Sequence, residues 1–171
     1  LNNFNIMGFR SLNYTGSTQN SNYPLPAYYF QVSIPSMWSL PWGFEKVSGL
    51  EVKTNVVKYA HGNINQPYNY NIMGRSEYSD ITFERGVFAG NGDLYDWWYK
   101  NLSTPSPRQI IISLGSNDMG GFFTPEVTWT LVDAMPVQLT FTELDAKNSS
   151  TPSVEKLVVC YRDMSILVNT A

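Results

Sequence analysis

Residues able to do chemistry are few in this chain, and they do not cluster. The one histidine, His61, lies in a Gly-flanked stretch (AHGN), and the one cysteine, Cys160, sits in the apolar run LVVCY. No further His or Cys is available to complete a four-ligand metal site. A nucleophilic triad would have to use His61, yet no Gly-X-Ser-X-Gly elbow occurs, and residues 114–117 (LGSN) read as a turn. The stretch GVFAGNGD carries glycines but lacks the Lys and the hydroxyl residue of a phosphate-binding loop. Glu51, Asp80 and Glu84 could supply paired carboxylates for acid–base work, but Lys53, Lys58 and Arg85 are interspersed with them. Mixed signs along strands more simply form cross-strand ion pairs on a wetted face. The chain is therefore expected to hold no metal or cofactor and to be no enzyme.

Those charges lie in one stretch, residues 44–88, which reads as two long strands joined by a wide loop. On the first strand Leu50 and Val52 alternate with Glu51 and Lys53; on the second Ile81 and Phe83 alternate with Asp80, Thr82 and Glu84. A period of two predicts one apolar face for the core and one wetted face.

The rest of the chain is consistent with a single β-rich domain. At 171 residues it can bury roughly 70% of its unfolded surface without staples. Charged residues make up 15% and aromatics another 15%, a mixture that disfavours an all-helical fold. A net charge of −3 offers no basic footprint, so sequence-specific nucleic-acid binding is not expected. A lone Cys160 in an apolar run reads as a small buried hydrophobe in a protein that folds under reducing conditions. No apolar run reaches the roughly 20 residues needed to span a bilayer, and a soluble product is expected. The Asn-X-Ser/Thr matches at Asn13, Asn101 and Asn148 would matter only in a secreted eukaryotic chain.

Residues 1–26 are Asn- and Ser-rich without a sustained period and read as an arm, leaving residues 27–171 as the domain. Residues 28–34 (YYFQVSI) predict a first strand, stopped by Pro35. The following loop, PSMWSLPWG, carries Trp38 and Trp42, which either fold back on the core or anchor an interface. In GNGDLYDWWYKNL, Asp93 is a candidate cap for a helix whose Leu94, Trp97, Trp98 and Leu102 recur at three and four residues and should face the sheet. Further strands are expected at 108–114, 126–132, 137–141 and 154–164, with the Pro in DAMP (133–136) separating two of them. The total is about seven strands and one helix, an antiparallel β-barrel or sandwich.

With these elements in order, the chain resembles the tail-tube proteins of contractile injection systems and contractile-tailed phages, related in fold to the type VI secretion tube. The phrases carrying the resemblance are PAYYFQVSI, GFEKVSGLEVKTNVVKYAHG, SDITFERGVFAGNGDLYDWW, RQIIISL, VTWTLVDAMPVQLTFTELDAKNSS and VEKLVV, in that order over most of residues 26–166. The resemblance implies a subunit made in the bacterial cytoplasm that forms hexameric rings stacked into a tube inside a contractile sheath, with baseplate and cap proteins at its ends. It also implies a sheet continued across subunits, which removes exposed strand edges. Glu51, Lys53, Asp80, Thr82 and Glu84 would then line a wetted lumen through which cargo or DNA passes, with Leu50, Val52, Ile81 and Phe83 facing the subunit core. Trp38, Trp42, His61, Asn65, Tyr68 and Tyr70 become candidates for contacts between subunits or rings. The long arm and the Trp-Pro loop leave open a specialised tube-initiating or cap-proximal ring. A carbohydrate-binding β-sandwich, prompted by abundant Trp, Tyr and Asn, is the alternative of another class.

Overall fold

The computed structural model describes residues 24–37, 43–60, 70–117, 123–147 and 152–169. Among these described residues nine strands and one helix follow in order: β1 (Phe30–Ser33), β2 (Lys46–Ser48), β3 (Val52–Tyr59), β4 (Tyr70–Tyr78), β5 (Ile81–Gly86), α1 (Asp93–Ser103), β6 (Arg108–Asn117), β7 (Phe123–Phe141), β8 (Val154–Cys160) and β9 (Asp163–Val168). Seven of the strands form one antiparallel sheet in the order β1-β6-β7-β8-β5-β2, with β9 also on β7, while β3 and β4 pair only with each other. The mainly β, one-helix architecture agrees with the sequence expectation.

The core lies on the inner face of this curled sheet. Val32, Ile81, Phe83, Ile110, Ile112, Leu131, Leu157 and Val159 meet there, covered by Leu94 and Trp97 of α1. Each fully buried aliphatic side chain contributes about 1.5–3 kcal/mol. Period two is clearest in β5, where Ile81, Phe83 and Arg85 are buried and Thr82 and Glu84 half-buried.

β7 spans 19 residues, so DAMP does not separate two strands. Asp133 adopts a φ of 54°, and the ladder shifts register opposite β6 near Arg108 and opposite β8 at Pro136. Bulges absorb the bend and the missing Pro donor, so the strand passes from β6 and β9 to β8 without stopping. The expected strand at 154–164 is instead two, because the chain turns at residues 161–162 before β9 resumes on β7.

The helix begins one residue earlier than expected. Gly92 is its N-cap, without a side-chain capping bond, and the Asp93 amide donates to Asn91 Oδ1 at 3.4 Å. Asp93 and Asp96 occupy the first turn, where the helix dipole favours carboxylates. Trp97 is buried and donates from Nε1 to the Ser106 carbonyl, but Trp98 is half-buried and Leu102 is 64% exposed. The stripe facing the sheet is therefore narrower than its four apolar positions imply.

The two long strands of residues 44–88 are each interrupted. β2 pairs with β5 inside the main sheet, whereas β3 and β4 leave it as a separate ribbon. Gly49, with a φ of 93°, makes the break: a Cβ there would lie 2.3 Å from the Asp80 carbonyl oxygen. A kink of positive φ at such close approach to the opposite strand needs glycine. Leu50 and Val52, expected in the core, are consequently exposed.

Candidate functional site

The main sheet carries a polar face opposite the core, assembled from four strands. Strand register places Lys46, Glu84, Lys156 and Thr140 in one row across β2, β5, β8 and β7, and Ser48, Thr82, Val158 and Gln138 in the next. Glu84 sits between two ammonium groups, Lys156 Nζ at 3.2 Å and Lys46 Nζ at 3.7 Å. Gln138 Nε2 donates to Thr140 Oγ1 at 3.1 Å. At Glu84 the mixed signs are thus cross-strand ion pairs, as expected, whereas Glu51 pairs with Lys53 two residues along the chain and the cross-strand partner of Arg85 is buried with it. Arg85 faces the core, buried beside Glu155, which is also buried.

The second part of the site is the β3–β4 ribbon. Val57 lies opposite Ile72, and Tyr59 opposite Tyr70, so the four share one face; Val56 and Met73 occupy the other. All six are exposed, from 46% at Val56 to 74% at Met73, and among the described residues no strand or helix packs over either side of the ribbon. Cross-strand bonds hold its root end, from Thr54 Oγ1 to Ser76 Oγ (2.9 Å) and from Asn55 Nδ2 to Glu77 Oε1 (3.1 Å). An isolated two-stranded hairpin is marginal in water, so a bare apolar ribbon needs a partner surface.

The residues singled out from the sequence fall into separate groups. Thr82 and Glu84 share the polar sheet face. Glu51 and Lys53 form an ion pair at 3.1 Å near the ribbon root; this contact, with a hydrogen bond from the Ser79 hydroxyl, holds the Glu51 carboxyl below the usual carboxylate range. Asp80 lies at the joint between ribbon and sheet, its carbonyl against Gly49. Tyr70 opens β4 rather than belonging to a loop. Trp38, Trp42, His61, Asn65 and Tyr68 lie outside the described residues, as does most of the arm. Sequence reasoning overlooked Lys46, Lys156, Gln138 and Thr140. Alternation in VEKLVV puts Leu157 and Val159 on one face and Lys156 on the other, a signal that could have marked Lys156 as outward. The bare ribbon had a signal in KTNVVKY, where adjacent Val56 and Val57 put apolar side chains on both faces.

Other surface features offer little chemistry. Hollows of about 430 Å3 by residues 142–146 and about 530 Å3 by Phe88 to Asp93 hold no histidine, cysteine or lysine among their described lining residues. The Cys160 thiol is free, half-buried and 3.6 Å from the Met135 carbonyl oxygen. Along the outer side of α1, Tyr95 and Tyr99 are exposed and stacked, with ring centroids 6.0 Å apart.

A polar sheet face beside a ribbon bare on both sides defines an assembly subunit, with surfaces that only further copies or partners complete. The chain belongs to the family of the T4-like virus tail tube protein gp19, whose profile matches residues 26–165. A chain of the sheath–tube complex of an extracellular contractile injection system, PVC, in the extended state is 28% identical, with a TM-score of 0.77 over 91% of this chain and 99% of that one. A chain from the tube-terminating cap of the anti-feeding prophage is 25% identical, with a TM-score of 0.72 over 86% and 93% of the two chains. Hcp1 from Flavobacterium johnsoniae shares the fold, at 13% identity and a TM-score of 0.50 over 83% of this chain and 97% of that one. Among curated protein sequences none matches. This is a structural tube-protein family of phage tails and tail-like injection particles, as the ordered phrases implied.

Proposed function

We propose that this chain is the repeating subunit of the inner tube of a contractile tail or injection particle, self-assembling into hexameric rings stacked around a polar lumen. The observation that carries this reading is the β3–β4 ribbon, exposed on both faces and paired with no other strand among the described residues. In a closed ring each ribbon covers apolar surface of the next subunit, and a sheet continued around the ring leaves no free edge. The face bearing Thr82 and Glu84, with Glu51, Lys53 and Asp80 near the ribbon root, turns toward the lumen. Its balanced ion pairs suit a channel that passes cargo or DNA without gripping it. The subunit does no catalysis; its work is assembly, inside a sheath and between a baseplate and a cap, beginning in the bacterial cytoplasm. Residues 1–26 act as a separate arm on the domain at 27–171.

Negative-stain microscopy of the purified chain tests this reading, with rings or tubes expected. A chain that stays monomeric at high concentration and is missing from particles overturns it. A specialised terminal ring is the second reading, favoured by likeness to a chain of the tube-terminating cap. Copy number separates the two, since a tube subunit recurs in many rings and a terminal subunit in one.

A further inference from the structure

At its root the ribbon makes a polar side-chain contact with the body. Neither β3 nor β4 packs along another element of the fold. At the end of β4, however, the Tyr78 hydroxyl donates to Asp163 Oδ1 at 2.7 Å, and the same oxygen accepts the Met164 amide at 2.8 Å. The Tyr78 ring lies on Tyr161, with centroids 5.3 Å apart and planes tilted by 49°. Tyr161 in turn packs against the core, its hydroxyl buried without a hydrogen-bond partner. Tyr78 thus bridges from the ribbon to the turn between β8 and β9. At the root, β3 and β4 carry on the register of β2 and β5 across a break at residues 49–51 and 79–80, where Gly49 kinks the chain, Glu51 N donates to Gly49 O, and one cross-strand bond runs from Ser79 N to Glu51 O.

We infer that Tyr78 and Asp163 form a latch that sets the angle of the ribbon on the body and so presents its apolar face ready for the next subunit. The inference rests on the ring-forming role proposed above. A ribbon held only through the kinked, sparsely bonded break at residues 49–51 and 79–80 would sample a range of angles, and docking would then have to order it. A ribbon held by a charge-assisted hydrogen bond and an aromatic shelf has lost that freedom before the partner arrives. Tyr78 and Asp163 are positioning residues, acting through Val57, Tyr59, Tyr70 and Ile72.

Sedimentation of the wild type, Tyr78→Phe, Asp163→Ala and the double variant over a concentration series tests the latch. Each single change should raise the midpoint for ring formation about tenfold, the effect of one charge-assisted hydrogen bond. Relative to Asp163→Ala, the double variant should add less than about twofold, since the contact that Tyr78→Phe removes is already gone. Single variants that assemble at the wild-type midpoint overturn the latch. So do variants whose monomers lose urea resistance in step with assembly, which would make the contact a general support of the fold. Amide exchange in the monomer reads the latch without rings: Tyr78→Phe should speed exchange about tenfold across β3 and β4 but not across β5 and β8, and unchanged ribbon exchange overturns it. If the wild type forms no rings while this ribbon-specific change appears, the tube reading fails and the latch stands.

Discussion

Arg85 and Glu155 face each other across β5 and β8 as an ion pair withdrawn from solvent, with Arg85 Nε donating to Glu155 Oε1. Both side chains sit on the core side of the sheet, one rung beyond Phe83 and Leu157. Removing one partner leaves the other charge buried and uncompensated. Arg85→Ala or Glu155→Ala should therefore cost about 3–5 kcal/mol in urea unfolding of the monomer. Arg85→Met combined with Glu155→Leu should recover most of that loss, since matched apolar groups need no charge partner.

Gly49 and Gly90 both have positive φ, 93° and 79°, but in different surroundings. A Cβ at Gly49 would meet the Asp80 carbonyl at 2.3 Å, while at Gly90 it would meet nothing within 4 Å. Gly90→Ala should cost only the backbone penalty of about 1–2 kcal/mol. Gly49→Ala adds a clash with backbone and should cost clearly more, the difference appearing as a lower Tm. Equal melting of the two variants would mean that the ribbon root can shift freely.

The sequence made some of this legible and hid the rest for identifiable reasons. Alternation in ITFERG assigns both faces of β5, because period two is a local property of a strand. The inward turn of Arg85 is hidden, since a charged residue reads as wetted until its partner, 70 residues away, is known. Where the strand breaks is equally obscure: VSGLEV scans as a continuous strand, and only the close approach of Gly49 to Asp80 diverts the ribbon from the sheet. The polar face was half legible, with Thr82 and Glu84 identified but not Lys46 and Lys156, whose place beside Glu84 depends on strand order rather than on any one strand.

The bond between Tyr78 and Asp163 predicts a pH window. The Tyr78 hydroxyl and the Met164 amide, both donating to it, hold the Asp163 carboxyl below its usual range, while the same bond to Asp163 pushes the Tyr78 phenol up. A lowered carboxyl contributes stability that is present above its unfolded value of about 3.9 and is lost as pH falls through the folded value. A raised phenol contributes stability that is fully present below about 10 and is lost as pH rises through its folded value. The Tm difference between wild type and Tyr78→Phe should be constant between these limits and shrink outside both. A difference that persists once Asp163 is protonated would show that the hydroxyl bonds the neutral carboxyl as well as the carboxylate, so that charge does not strengthen the contact.

Charge reversal on the polar face separates lumen from interface. Glu84 lies between Lys46 and Lys156, so Glu84→Lys sets three ammonium groups side by side and should cost about 1 kcal/mol or less, given their partial exposure to water. Glu51 is more exposed and bonds mainly to Lys53, so Glu51→Lys should cost still less. If both face a lumen, rings form as in the wild type, while the cargo recovered from assembled particles changes with the altered sign of the wall. Negatively charged cargo should be retained more strongly, and increasingly so at low salt, where screening is weak. If both substitutions abolish rings while the monomers keep their Tm, Glu51 and Glu84 lie between subunits, and the lumen must be lined by another face of the fold.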